Sequence, residues 1–148
     1  SLITQNVDGL HIRAGSTIVH EVHGDLWALK CVSCDYKGRL DVPAEGIPPC
    51  PKCDNNLRPD VVWFGESLDR DTISNVYQEL EKADVCLVIG TSSLVQPAAS
   101  FPLIVKQRSG QIIEVNIERT PLTSAVDYHL SGKAGEILPQ LDLFLTRQ

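Results

Sequence analysis

The stretch Cys31-Val32-Ser33-Cys34, followed after fifteen residues by Cys50-Pro51-Lys52-Cys53, decides how this chain folds. Each C-x2-C pair brings two thiolates to one side of a tight turn. Two such turns facing each other make a tetrahedral four-sulfur cage, and Zn²⁺ suits it because it accepts soft ligands and imposes no d-electron geometry. Lys37-Gly38 and Pro48-Pro49 read as turn punctuation around the pairs, and Lys52 as an offset to the thiolate charge. A closed set of four thiolates leaves no position for water, so the expected metal is structural. The competing reading is two disulfides in a secreted domain; the lack of a signal-peptide pattern ahead of the cysteines weighs against it. Cys86 lies in the apolar run Val85-Cys86-Leu87-Val88-Ile89 and reads as a small buried hydrophobe.

Outward from the cysteines, 148 residues bury one reasonable core, giving one main domain with a zinc-bound insert. The net charge is −6 and no basic run occurs. A nucleic-acid surface is therefore disfavoured, because neutralising phosphates needs clustered Lys and Arg. No apolar stretch approaches membrane-spanning length. No targeting pattern is visible, so the expectation is an intracellular, reducing setting, with cytoplasm, nucleus and mitochondrion left open.

Ser1-Leu2-Ile3-Thr4 reads as a strand end running into a polar loop. Asp60-Val61-Val62-Trp63-Phe64, bounded by Pro59 and Gly65, reads as a strand. Leu68 to Ala83 has apolar residues at three- and four-residue steps, predicting an amphipathic helix with Asp69 and Asp71 in its first turn. Asp84 to Ile89 predicts a buried strand, and Pro97 to Arg108 a helix that Pro102 either bends or starts late. Gln111 to Asn116 and Val126 to Leu130 predict further strands, and Ala134 to Phe144 a helix interrupted by Pro139. Strand and helix in alternation give an α/β fold: an incomplete Rossmann-like parallel sheet flanked by helices, carrying a small zinc ribbon.

Ligands of an open parallel sheet bind outside the carboxyl ends of its strands. Three polar patches fall there: Gly90-Thr91-Ser92-Ser93, Asn116-Ile117-Glu118, and Ser131-Gly132-Lys133-Ala134-Gly135. Their small residues admit a phosphate or ribose, and their hydroxyls and amides supply hydrogen bonds. No G-x-G-x-x-G occurs. Ahead of the cysteines, Thr4-Gln5-Asn6-Val7-Asp8-Gly9-Leu10-His11 is dense in orienting side chains. As a loop it is equally a set of local turns. Histidine is the side chain suited to proton transfer near neutral pH, so His23 is a candidate general base, although a lone histidine is more often structural.

Together these segments closely resemble the sirtuins, the NAD-dependent protein-lysine deacylases. The matching residues are Thr4-Gln5-Asn6-x-Asp8-x-Leu10-His11, His23-Gly24, the four cysteines, Pro59 to Glu66, Gly90-Thr91-Ser92-Ser93-x-Val95-x-Pro97 and Asn116-x-Glu118. Leu57 to Glu66 looks most like the subgroup of bacterial sirtuins and the mitochondrial desuccinylase type.

The resemblance implies roles. His23 would be the general base that takes a proton from a hydroxyl of the nicotinamide ribose. Gln5 would contact that ribose, and Asn6 and Asp8 would line the nicotinamide pocket. Gly90, Thr91, Ser92, Asn116, Glu118, Lys133 and Ala134 would hold the ribose and adenine end of NAD+. Val62, Phe64, Gly65 and Glu66 on one side, with Leu94 and Val95 on the other, would clamp an acyl-lysine protein or peptide as an added strand. Cys31, Cys34, Cys50 and Cys53 would hold Zn²⁺. The implied division is 1–24 catalytic loops, 25–60 zinc module, and 61–148 NAD- and peptide-binding part. The resemblance also implies that the family's glycine-rich phosphate loop lies upstream of these residues. The 148 residues alone are then expected to bind NAD poorly and turn over little. Two other readings stay open: a catalytically inactive zinc-stapled peptide-binding module, and, against the acidic balance, a zinc-ribbon nucleic-acid binder.

Overall fold

The computed structural model describes residues 1–147. The chain forms two compact units, Ser1–Val76 and Tyr77–Gln148. Residues 61–76, grouped with the third segment in the sequence reading, belong to the first unit.

In the first unit, β1 (Leu2–Thr4) runs parallel to β2 (Val19–Glu21), with the short helix α1 (Leu10–Arg13) between them. Three antiparallel strands follow: β3 (Gly24–Cys31), β4 (Lys37–Arg39) and β5 (Leu57–Val61), in the order β4-β3-β5. Lys37-Gly38 thus lies in a strand instead of marking a turn. The apolar strand also sits earlier than its composition suggested, at 57–61 instead of 60–64, with Pro59 inside it. Proline is tolerated there because β5 is an edge strand, where a missing N–H costs no ladder bond. Gly24 is required at its place. Its φ is +82°, and a Cβ would stand 1.9 Å from the Asp60 carbonyl oxygen of β5. Leu29, Cys31, Cys50 and Leu57 form the core of this sheet, so two of the cysteines are core residues.

Helix α2 (Arg70–Lys82) begins two residues later than the expected Leu68, which leaves Asp69 ahead of its first turn. Asp69 accepts from the Thr72 backbone N–H at 2.8 Å, supplying the cap that the first turn lacks.

The second unit is built on β6 (Val85–Ile89), β7 (Gln111–Asn116) and β8 (Tyr128–Ser131), all parallel and in that order. Helix α3 (Phe101–Gln107) starts late, after a 3-10 turn at Ala98–Ser100, because Pro102 has no N–H to bond and fits only the first helical turn. Helix α4 (Ala134–Leu145) is continuous through Pro139, whereas an interruption was expected. One sequence expectation needs a larger correction. β6 is buried on one face only: Val85, Leu87 and Ile89 alternate along an exposed face, while Cys86 and Val88 on the opposite face pack into the core. Val88, Ile112 and Leu122 form the core, with Cys86 packed against it, as its apolar setting suggested. Burial pushes the Cys86 thiol up to about 11. No described helix is long and apolar enough to cross a membrane.

Candidate functional site

The cysteine cluster is assembled as the spacing requires. The sulfurs of Cys31, Cys34, Cys50 and Cys53 all lie within 4.8 Å of one another. Cys31 and Cys53 are 3.5 Å apart, Cys34 and Cys50 3.6 Å, and Cys53 and Cys34 3.5 Å. A disulfide needs about 2.05 Å. A tetrahedron with Zn–S of about 2.3 Å has edges of about 3.8 Å. The geometry matches the metal cage and excludes the disulfides.

The local backbone favours thiolates. Ser33 N–H donates to the Cys31 sulfur at 3.3 Å, and Lys52 N–H to that of Cys50 at 3.4 Å. At Cys34 the Tyr36 backbone amide favours the thiolate. Burial and the neighbouring sulfurs of Cys31, Cys53 and Cys50 outweigh it, and that thiol is pushed up to about 12. The backbone and side-chain N–H groups of Asn55 pull Cys53 down to about 6. Four sulfurs this close cannot all be anionic without a cation among them, so the set fits Zn²⁺, whose binding displaces the remaining protons. The Lys52 ammonium is ion-paired with Asp35.

The first unit also assembles the predicted polar loop around His23. The imidazole Nδ1 is 3.3 Å from the Gln5 carbonyl oxygen. A carbonyl only accepts, so the neutral ring carries its proton on Nδ1 and keeps Nε2 as the basic nitrogen. The loop is held on both sides. Thr4 Oγ1 accepts from Asn6 N–H at 3.1 Å, Val7 O accepts from Leu26 N–H at 2.9 Å, and Asp8 O accepts from Trp27 Nε1–H at 3.0 Å. Asp8 Oδ1 accepts from Leu10 N–H at 2.9 Å and so starts α1. Gln5 is thereby held against His23 through its backbone carbonyl, and Asn6 and Asp8 belong to the same anchored loop.

The backbone carbonyl of His23 accepts from Val62 N–H at 2.9 Å, which carries the framework into the 62–66 segment. That segment is a turn, not a strand: Glu66 N–H donates to Trp63 O at 2.9 Å, and Gly65 has φ of +89°. Phe64 stands at its corner, fully exposed.

In the second unit the three polar patches meet because the strands are parallel and in register. Gly90 N–H donates to Val115 O at 3.0 Å, Asn116 Nδ2 to Thr91 O at 2.8 Å, and Gly132 N–H to Asn116 O at 3.0 Å. Asn116 links all three. Ser92, Glu118 and Lys133 are exposed around this edge, and Ala134 opens α4. Leu94 and Val95 are exposed in the loop after the first patch.

Two residues of consequence escaped the sequence reading. Glu114 is fully buried in β7. Its carboxylate accepts from Thr120 Oγ1, from Thr123 Oγ1 at 2.5 Å, and from His129 Nδ1 at 2.9 Å. A lone charge inside Ile112-Ile113-Glu114-Val115 was the available signal. The other is Arg58, beside the 62–66 turn.

Comparison with known proteins agrees with this arrangement. The sequence model of the Sir2 family matches residues 1–97. The NAD-dependent protein deacylase 1 of Archaeoglobus fulgidus is 55% identical, over 95% of this chain and 58% of its own length. The NAD-dependent protein deacylase of Thermococcus kodakarensis is 49% identical, with 95% and 58% covered. Among solved structures, a Sir2 homologue–NAD complex superposes with TM-score 0.93 at 50% identity, covering 98% of this chain and 57% of that one. Sir2Tm bound to a propionylated peptide gives TM-score 0.86 at 33% identity, with 94% and 62% covered. The chain thus spans under three fifths of the length of these curated relatives.

Proposed function

The chain belongs to the Sir2 family, and from that premise we propose that its protein is an NAD-dependent protein-lysine deacylase. The reaction transfers an acyl group from lysine to ADP-ribose and releases nicotinamide. NAD+ as co-substrate supplies the cleavable glycosidic bond. The observation that carries the reading is His23, fixed through Nδ1 to the Gln5 carbonyl with its Nε2 left basic; Asn6 and Asp8 follow Gln5 in the same loop.

In this reading His23 Nε2 takes the proton from a hydroxyl of the nicotinamide ribose, and the Gln5 carbonyl holds the ring in the tautomer able to do so. Asn6 and Asp8 line the nicotinamide pocket, and Gln5 contacts the ribose. Gly90, Thr91, Ser92, Asn116, Glu118, Lys133 and Ala134 bind the ribose and adenine end; the three patches tied through Asn116 support that role. Val62, Phe64, Gly65, Glu66, Leu94 and Val95 receive the acyl-lysine peptide, with main-chain pairing giving affinity across varied sequences. Zn²⁺, held by the four cysteines, pins the sheet β4-β3-β5 and takes no part in chemistry, since a four-thiolate set leaves no open position. Metal-binding thiols of this kind also support a reducing intracellular setting.

The test is His23→Ala in the full-length protein, followed by nicotinamide release from NAD+ and an acetyl-lysine peptide. Loss of a general base is expected to lower kcat by roughly a hundredfold or more, with peptide binding retained. Unchanged turnover would remove His23 from the chemistry.

A further inference from the structure

Arg58 has no role in the reaction as described, yet its side chain is only 18% exposed and makes three different contacts. Nη1 donates to the Val61 carbonyl at 3.1 Å. Nη2 is ion-paired with the Glu66 carboxylate. The guanidinium carbon lies 4.4 Å from the Trp63 ring centroid, within cation–π range. Glu66 in turn accepts from Trp63 N–H at 3.2 Å through its other oxygen. The guanidinium therefore holds the strand end before the turn, the ring at its first residue and the carboxylate at its last. Phe64 and Gly65 project between those anchors, and the Glu66–Trp63 backbone bond closes the turn.

Only a planar fork does all of this at once. A lysine ammonium is a point charge that satisfies one carboxylate and offers no flat face to an indole. Lys30 illustrates the difference: its Nζ is 2.9 Å from Asp60 and 4.0 Å from Glu66, single-point ion pairs with carboxylates. The stapled segment is also the one whose main chain is assigned to the substrate peptide, so fixing it beforehand removes an ordering cost from binding.

We infer that Arg58 is a positioning residue that holds the Trp63–Glu66 turn in its peptide-receiving shape, setting affinity for the acyl-lysine peptide and leaving the NAD chemistry alone. The inference rests on the deacylase reading.

The experiment measures KM for an acetyl-lysine peptide, KM for NAD+ and kcat in the full-length protein and in Arg58→Ala, Arg58→Lys and Glu66→Gln. Fluorescence anisotropy of a labelled acetyl-lysine peptide supplies a direct Kd. Arg58→Ala is expected to raise the peptide KM and Kd about tenfold, the scale of one lost charge-assisted contact set. The NAD+ KM and kcat should stay within about twofold, and Arg58→Lys should recover little of the loss. Glu66→Gln should shift in the same direction by less. If Arg58→Ala does not fold, Arg58→Lys and Glu66→Gln decide by the same readouts. Unchanged peptide KM and Kd, or equal rises in both KM values, overturn the assignment. Peptide binding without any nicotinamide release would sink the deacylase reading and leave Arg58 judged by Kd alone. Neither binding nor release overturns both.

Discussion

Glu114 shows how a single residue can be costly and still retained. Burial by itself pushes its carboxyl pKa up. Hydrogen bonds from Thr120, Thr123 and His129 outweigh that, holding it below the usual carboxylate range. Thr120 also caps the 3-10 turn Pro121–Ser124, so the buried carboxylate fixes the return of the chain from Asn116 and Glu118. A group whose folded pKa lies below its unfolded value stabilises the protein above the unfolded value, and that stability is lost as pH falls through the folded one. Glu114→Gln is therefore expected to cost about 2 kcal/mol near neutrality, a melting-temperature drop of roughly 5 °C. It should also flatten part of the acid limb of stability against pH, read by thermal denaturation from the ordinary carboxylate range downward. Asp60 and Asp127 have depressed values through Lys30 and Lys106, so the remaining acid limb persists in the variant. An acid limb identical to that of the unsubstituted protein would contradict this account.

Strand β5 is the element that connects most of the first unit. It enters at Leu57, three residues after Asp54, and Cys31 pairs with Leu57 across the sheet. Lys30 pairs with Arg58, and Gly24 with Val61, so one strand runs from the cysteine cage to the residue beside His23. The sulfurs sit at one end of a small core of Leu29 and Leu57, which buries too little apolar surface to hold three short strands by itself. Zinc is expected to supply the rest. The purified protein should contain about one Zn²⁺ per chain by metal analysis. Chelation, or Cys50→Ser, should release the metal and lose β4 and β5 from the hydrogen-exchange protection pattern. Retained protection after complete metal loss would show that the core suffices.

For the whole molecule, length matters most. The relatives align over nearly all of this chain, but it covers only 58% of the Archaeoglobus protein. A dinucleotide is gripped along its length, and patches at one sheet edge reach only part of it. The 148 residues are expected to bind NAD+ more weakly than the longer Archaeoglobus relative, and to release little nicotinamide. Calorimetry on the two polypeptides compares them directly, and equal affinity would contradict the expectation.

The amino-acid sequence by itself determined the metal cage, the alternation of strands and helices, and the polar patches at strand ends. These follow from local rules: C-x2-C turns, the helical spacing of Ile73, Val76 and Leu80, and glycine or small residues after apolar runs. Folding decided what depends on neighbours distant in sequence. Pro59 fits inside a strand because that strand is an edge. Glu114 is tolerated in the core because Thr120, Thr123 and His129 reach it from other elements. His23 has a defined basic nitrogen because a carbonyl eighteen positions earlier stands 3.3 Å away. Arg58 grips a turn that composition read as strand. A pattern records which residues are apolar or polar; only three-dimensional packing settles which polar groups find partners, and unpartnered buried groups are too costly to keep.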